Sequence, residues 1–212
     1  GQIFYTHDIT SQKFYHFGSD PTTLGKRKLE ADFDPIESAL KKGGSVLIYV
    51  PKSHIYSKQI YGQFQKYISM CQPIDDPIAI KMIDELKDYI GASTTDKLFY
   101  NSDMLEKLRC GIVVHHGSMP LTARLILEHF TQQGFCKICF ATSTLEQGIN
   151  MPFDVVYLDR FEESKTLSVK NLIGRAGRST AKPIFDFGSV ILRPNAMSRF
   201  RKVYQKKNIL SS

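Results

Sequence analysis

From residue 111 onward, strand-like apolar runs alternate strictly with helix-like amphipathic runs, and that alternation leaves the chain few folds. GIVVH (111–115), KICFA (137–141), DVVYLD (154–159) and DFGSVIL (186–192) read as strands. PLTARLILEHFTQQ (120–133), the segment around 168–178 and residues 194–207 read as helices. Parallel strands need crossover connections, and a strand that is apolar throughout needs cover on both faces. The pattern therefore predicts an α/β fold, a mostly parallel sheet with helices on both faces.

The upstream half fits the same scheme. Residues 3–6 (IFYT) and 12–17 (QKFYHF), split by the polar turn HDITS, predict an aromatic β-hairpin. Residues 18–32 are polar and turn-rich and read as a linker, so the hairpin and linker occupy residues 1–32 and the main domain 33–212. Asp34-Pro35 predicts a capped helix start with proline at the first position, before IESALKK. GGSVLIYV (43–50) breaks that helix and opens another apolar strand, with nothing polar between Val46 and Val50, and Ser53 is placed to cap a helix over about 54–69. Asp76-Pro77 opens a further helix whose apolar positions 80, 83, 86 and 90 make one stripe, and a shorter helical piece is expected near 102–109. GKR at 25–27 is no P-loop, since the upstream glycine and the following Ser or Thr are missing.

The chain of 212 residues carries a formal net charge of +7, which favours an anionic partner, nucleic acid first. Part of that excess sits in RFRKVYQKK (199–207), a stretch equally suited to a solvated helix end. No run approaches the roughly 18 apolar residues of a membrane span, and the opening GQIFYTHDI lacks the regions of a signal peptide. Cys71, Cys110, Cys136 and Cys139 show no disulfide-framework spacing, which fits a reducing, cytoplasmic setting. Cys136 and Cys139 enter a strand at an odd offset, so alternation directs their sulfurs to opposite faces, and no second CxxC completes a zinc site. They read as small core residues.

In open parallel sheets, ligands bind beyond the carboxyl ends of the strands. The unusual residues fall there: Pro51-Lys52-Ser53, then His116-Gly117-Ser118, then Thr142-Ser143-Thr144 through Gly148 and Asn150, and finally Arg160 and the segment NLIGRAGR (171–178). Hydroxyls at Thr142, Ser143 and Thr144 suit a backbone phosphate held without reading sequence, and each suits a helix cap or turn as well. Lys52 and Ser53 offer a second phosphate contact. His115 and His116 have no matching ligand cluster, which argues against a metal site. Arg175 and Arg178 stand three apart, on one face if the segment is helical, and Gly174 and Gly177 share that spacing. Two guanidinium forks beside a thinned backbone suit a polyphosphate or phosphodiester; a basic helix face with two packing glycines is the plainer reading.

The order of these stretches resembles the C-terminal RecA-like domain of superfamily 2 helicases, closest to the Ski-like DExH/DEAD-box group. VLIYVPKS (46–53) looks like motif IV, VVHHGSMPLTAR (113–124) like the segment before motif V, ATSTLEQGINMP (141–152) like motif V and NLIGRAGR (171–178) like motif VI. The resemblance covers about residues 44–193, with 71–109 as a helical insertion. It implies a three-layer RecA-like fold and an ATP-dependent helicase working with Mg2+. By match, Arg175 and Arg178 are the motif VI arginines that approach the γ-phosphate, and they carry the catalytic role. Gly148, Asn150, Asn171 and Gly174 fall near the nucleotide. Lys52, Ser53, His116, Gly117, Thr142, Ser143 and Thr144 fall where the family touches the nucleic-acid backbone. Motif VI departs from the family in opening with Asn171 rather than Gln or His.

The chain has neither a GxxxxGK[ST] loop nor a DExH tetrad. On this resemblance, phosphate cradling and Mg2+ ligation belong to an N-terminal RecA-like domain, and the fragment alone is expected to be inactive. A non-catalytic nucleic-acid-binding module of the same fold is the alternative expectation.

Overall fold

The computed structural model describes residues 1–20, 29–91, 98–116, 119–142, 153–161, 166–174, 176–177 and 188–205. Along the chain the described strands are β1 (Gln2–Asp8), β2 (Lys13–His16), β3 (Leu29–Glu30), β4 (Val46–Tyr49), β5 (Ile112–His115), β6 (Ile138–Ala141), β7 (Val155–Leu158) and β8 (Gly188–Leu192). The described helices are α1 (Pro35–Lys41), α2 (Lys52–Tyr56), α3 (Gln59–Gln63), α4 (Gln65–Ile68), α5 (Pro77–Gly91), α6 (Leu98–Arg109), α7 (Leu121–Gln132), α8 (Thr166–Ile173) and α9 (Met197–Gln205). They form two compact units: Gly1–Pro51 with Pro152–Ser212, and Lys52–Met151. The fold is α/β with a mostly parallel sheet, as the alternation requires.

In the first unit the strands run in the order β3-β2-β1-β8-β7-β4. The pairs β1–β8, β8–β7 and β7–β4 are parallel, while β2 pairs antiparallel with both β1 and β3. Every residue of β4 and β7 is buried, which is why neither strand alternates polar with apolar. The hairpin therefore continues the sheet instead of hanging from it. Its turn is closed by Asp8, whose Oδ1 accepts from the Thr10 amide at 3.0 Å. A third antiparallel strand, β3, lies within the stretch that reads as linker. The expected cap on α1 forms: Asp34 Oδ1 accepts from the amides of Ile36 and Glu37 at 2.9 and 3.1 Å, with Pro35 at the first helical position.

In the second unit β5 and β6 pair in parallel, Ile112 opposite Ile138 and His115 opposite Ala141, connected by α7. Asp76 caps α5 as expected, its Oδ1 accepting from the Ile78 amide at 2.8 Å. The buried stripe of α5 is Ala79, Met82, Ile83, Leu86 and Ile90, and Ile80 is exposed. Position 80 is thus a correction. Ala79 and Ile83, four apart, lie on one face, whereas Ile80 sits about 100° around the helix from Ala79.

Residues 54–69 do not make one helix capped by Ser53. Three short helices run there, α2 begins at Lys52, and Lys58 turns the chain at φ +58°. The reason is the spacing of the buried residues Ile55, Ile60, Phe64 and Tyr67. Ile55 and Ile60 are five apart, about 140° around a continuous helix, so burying both requires a break. Phe64 then packs tilted on Tyr67 and edge-on to Phe140 of β6.

The segment around 168–178 is helical only as far as Ile173. Beyond it Ala176 makes a parallel bridge to Phe153, and the Gly177 amide donates to the Phe153 carbonyl at 2.7 Å. Gly177 has φ +77°, and a Cβ on Gly188 would lie 2.3 Å from both the Ala176 carbonyl carbon and the Gly177 nitrogen. The chain leaves the helix because its backbone bonds to the sheet side, and Gly188 is the residue that lets it come so close.

Candidate functional site

Parallel register brings strand exits together within each unit. In the second unit, His115 ends β5 and Ala141 ends β6, directly opposite one another. The next residues along each strand are His116 and Thr142, and the Thr142 amide donates to the His115 carbonyl at 3.2 Å. Two residues expected at the nucleic-acid backbone thus stand side by side. Both are buried as they stand, as is His115. Lys52 and Ser53 occupy the first turn of α2 and are exposed.

In the first unit, Asn171 is exposed in the last turn of α8 and Gly174 is half-buried just past it, its amide donating to the Lys170 carbonyl at 2.9 Å. A Cβ at Gly174 would meet only ordinary contacts, at 3.4 and 3.5 Å, so the need for glycine in this region lies at Gly188. Gly117, Ser143, Thr144, Gly148, Asn150, Arg175 and Arg178 lie outside the described residues.

The sequence reading missed a buried polar cluster at the carboxyl ends of β1, β7 and β8. Leu158 pairs with Leu192, so the residues that follow, Asp159 and Arg193, come next to each other. Arg193 Nε donates to Asp159 Oδ1 at 2.8 Å, and the terminal guanidinium nitrogen Nη2 donates to the same oxygen. The guanidinium also lies over the Tyr157 ring, 5.5 Å from its centroid. The Tyr157 hydroxyl bonds His7 Nδ1 at 2.8 Å, and the His7 ring stacks on Phe14 at 4.2 Å. Burial, reinforced by the Arg193 charge, lowers the His7 pKa to about 4, so the ring is neutral at neutral pH. Burial likewise holds the Tyr157 phenol protonated, with its pKa well above the usual value. The readable signal was an acid and a base each closing an apolar strand, VVYLD and VILR, but their meaning depends on which strands are neighbours.

A second cluster adjoins β5. His115 is fully buried, and neither ring nitrogen has a hydrogen-bond partner. Its Nε2 lies 3.7 Å from Glu128 Oε1 on α7. Burial first, then the charges of Arg124 and His116, lower the His115 pKa to about 4. A neutral ring at that distance is not an ion pair. Burial raises the Glu128 pKa, with Arg124 opposing it. Arg124 Nε is also buried without a partner.

The cysteines correct one further expectation. β6 starts at Ile138, so Cys136 precedes the strand and its alternation does not extend to that side chain. Cys71, Cys136 and Cys139 are buried, all four cysteines are free, and burial pushes the Cys71 thiol up to about 11. A buried thiol held protonated in this way, as at Cys71, is a packing residue. Among the described residues, no group of three or more His, Cys, Asp or Glu is placed to hold a metal ion, and no helix is long and apolar enough to cross a membrane.

A mostly parallel α/β fold is consistent with a RecA-like domain. Residues 78–180 match the helicase conserved C-terminal domain. The ATP-dependent DNA helicase Hel308 of Caldivirga maquilingensis is 25% identical over 164 residues, 72% of this chain and 20% of that protein. The Hachiman protein HamB of Bacillus cereus is 38% identical over 84 residues, 37% of this chain and 8% of its own length. The mouse Superkiller complex protein 2 is 34% identical over 97 residues, 42% of this chain and 8% of its own. The chain therefore spans a fifth or less of these relatives. Over residues 78–180 the chain is thus similar to the C-terminal domain of superfamily 2 helicases.

Proposed function

We propose that this domain is the C-terminal motor half of an ATP-dependent nucleic-acid helicase. The observation that carries the proposal is the helicase C-terminal match over residues 78–180, the span holding the HHG, TST…G…N and GRAGR stretches in helicase order. In this reading ATP with Mg2+ is held by a preceding RecA-like domain of the same polypeptide. Arg175 and Arg178 reach the transferring phosphoryl group when the domains close. Asn171, Gly174, Gly148 and Asn150 line the nucleotide side.

The described residues suit the nucleotide side. Asn171 presents an exposed amide at the end of α8, and the backbone break after Ile173 is fixed by the Gly177–Phe153 bond and the gap at Gly188. Mg2+ would neutralise phosphate charge during transfer. The arginines of this chain would stabilise charge on the transferring oxygens, where such groups are worth about 10³–10⁵ in rate.

Nucleic acid, RNA or DNA, is gripped through its backbone by Lys52, Ser53, His116, Gly117 and the hydroxyls of Thr142, Ser143 and Thr144. His116 and Thr142 being neighbours supports a shared phosphate contact, reached once the edge opens. Such contacts make binding weakly sequence-dependent and strongly salt-dependent. Action in the cytoplasm fits this reading.

The test is Arg178→Ala in the complete polypeptide. Nucleic-acid-stimulated ATP hydrolysis is expected to disappear while strand binding largely survives. Unchanged hydrolysis rejects the phosphoryl-transfer role, and lost binding with intact hydrolysis transfers the arginines to the nucleic acid.

A further inference from the structure

His115 is the residue the functional reading leaves unused. It ends β5, its side chain is fully buried, and neither ring nitrogen makes a hydrogen bond. A buried polar atom without a partner is costly, so native structures retain few of them without a reason. One candidate partner is close. Glu128 Oε1 stands 3.7 Å from His115 Nε2, and a hydrogen bond needs a separation of about 3.2 Å or less. A displacement of about half an ångström would close it.

The elements that would move are defined. Glu128 and Arg124 are one turn apart on α7, so both travel with that helix. α7 begins at Leu121, shortly beyond His116-Gly117-Ser118, the first stretch expected to meet nucleic acid. On the other side, the His115 carbonyl accepts from the Thr142 amide at 3.2 Å, and Thr142 leads into the second such stretch. His115 thus lies between a helix linked to one contact stretch and a strand exit that starts the other.

We propose that engagement of a nucleic-acid strand draws α7 toward β5 until His115 Nε2–H donates to Glu128, and that this bond sets the position of Thr142 for its phosphate contact. His115 and Glu128 are positioning residues: neither touches the strand. The groups facing His115 are Glu128 and Arg124 from α7 and His116 from its own strand. The neutral imidazole matches this role, since it supplies a single N–H donor and leaves the carboxylate as acceptor. The proposal rests on the helicase reading above.

Its test is a double-mutant cycle in the complete polypeptide, read by fluorescence anisotropy on a labelled single-stranded oligonucleotide and by thermal unfolding without it. Glu128→Ala and His115→Phe should each weaken strand binding about tenfold, and the double variant should be no weaker than either single one. Glu128→Gln, which keeps an acceptor oxygen, should bind within about twofold of the parent. Because the bond is absent in the free protein, the same cycle read by thermal unfolding should show no coupling. Additive losses in binding overturn the proposal. Equal coupling in the free protein also overturns it, since that marks a constitutive contact. If His115→Phe does not fold, Glu128→Ala decides alone, and binding equal to the parent sinks the idea. Failure of the unmutated protein to bind any strand rejects the helicase reading itself, and this inference with it.

Discussion

The two buried polar clusters were built to opposite specifications. In the first unit, Asp159, Arg193, Tyr157 and His7 form a connected set: a guanidinium sharing one carboxylate oxygen, a cation over a ring, and a hydroxyl bonded to an imidazole. In the second, His115, Glu128 and Arg124 lie close without a hydrogen bond between the imidazole and the carboxylate. Only His7 Nε2 in this set is buried without a partner, and a bonded network fixes geometry because each bonded member is costly to move. An unsatisfied one has a second arrangement within reach. The first cluster therefore reads as a clamp across neighbouring strand ends, and the second as a joint.

The largest expected effect is on the clamp. Asp159→Ala leaves the Arg193 guanidinium without its carboxylate in a site mostly shielded from water, and should cost about 3–5 kcal/mol. Urea unfolding of the purified protein measures this directly. A loss no larger than that of an exposed ion pair, below about 1 kcal/mol, would erase the distinction between the clusters.

Acid sharpens the comparison next. His7 and His115 both have pKa values lowered from 6.5 to about 4. The unfolded chain takes up protons below about pH 6.5 that the folded one refuses, so their contribution is intact above that pH. It falls away as pH drops toward 4. Each histidine accounts for at most about 3 kcal/mol across that window. Stability measured from pH 7 to pH 4 should decline steeply, and His7→Phe should flatten the decline. A profile unchanged by His7→Phe would mean that the clamp does not keep its histidine neutral.

Gly188→Ala should cost about 1–3 kcal/mol through overpacking against Ala176 and Gly177. It should also disturb the GRAGR segment, so hydrolysis by the complete polypeptide should drop more than strand binding. Equal loss of both would show that the close approach serves stability alone.

What could be read in advance was whatever local chemistry decides. The Asp34-Pro35 and Asp76 caps, the continuously apolar β4 and β7 and the aromatic hairpin all depend on residues a few positions apart. What escaped depends on partners distant in the chain. Asp159 and Arg193 are 34 positions apart and meet only because β7 and β8 are neighbours. The end of α8 at Ile173 depends on Phe153 offering a backbone bond and on Gly188 leaving room. The break between Ile55 and Ile60 was visible as a spacing of five but needed the core to give it weight. At the candidate site, the pairing of His116 with Thr142 follows from strand register, whereas the near-contact of His115 with Glu128 required coordinates.

The smallest expected change is the most pointed. In the free protein, Glu128→Ala removes a half-buried carboxylate that makes no hydrogen bond to His115, so thermal unfolding should move by no more than about 0.5 kcal/mol. Removing Asp159 from the clamp is expected to cost several times more, though both residues are carboxylates facing a cation or an imidazole. The contrast comes from whether the partner is already engaged. A joint differs from a clamp in that its members matter only in the state that brings them together, so a large loss in the resting protein would make the second cluster a clamp as well.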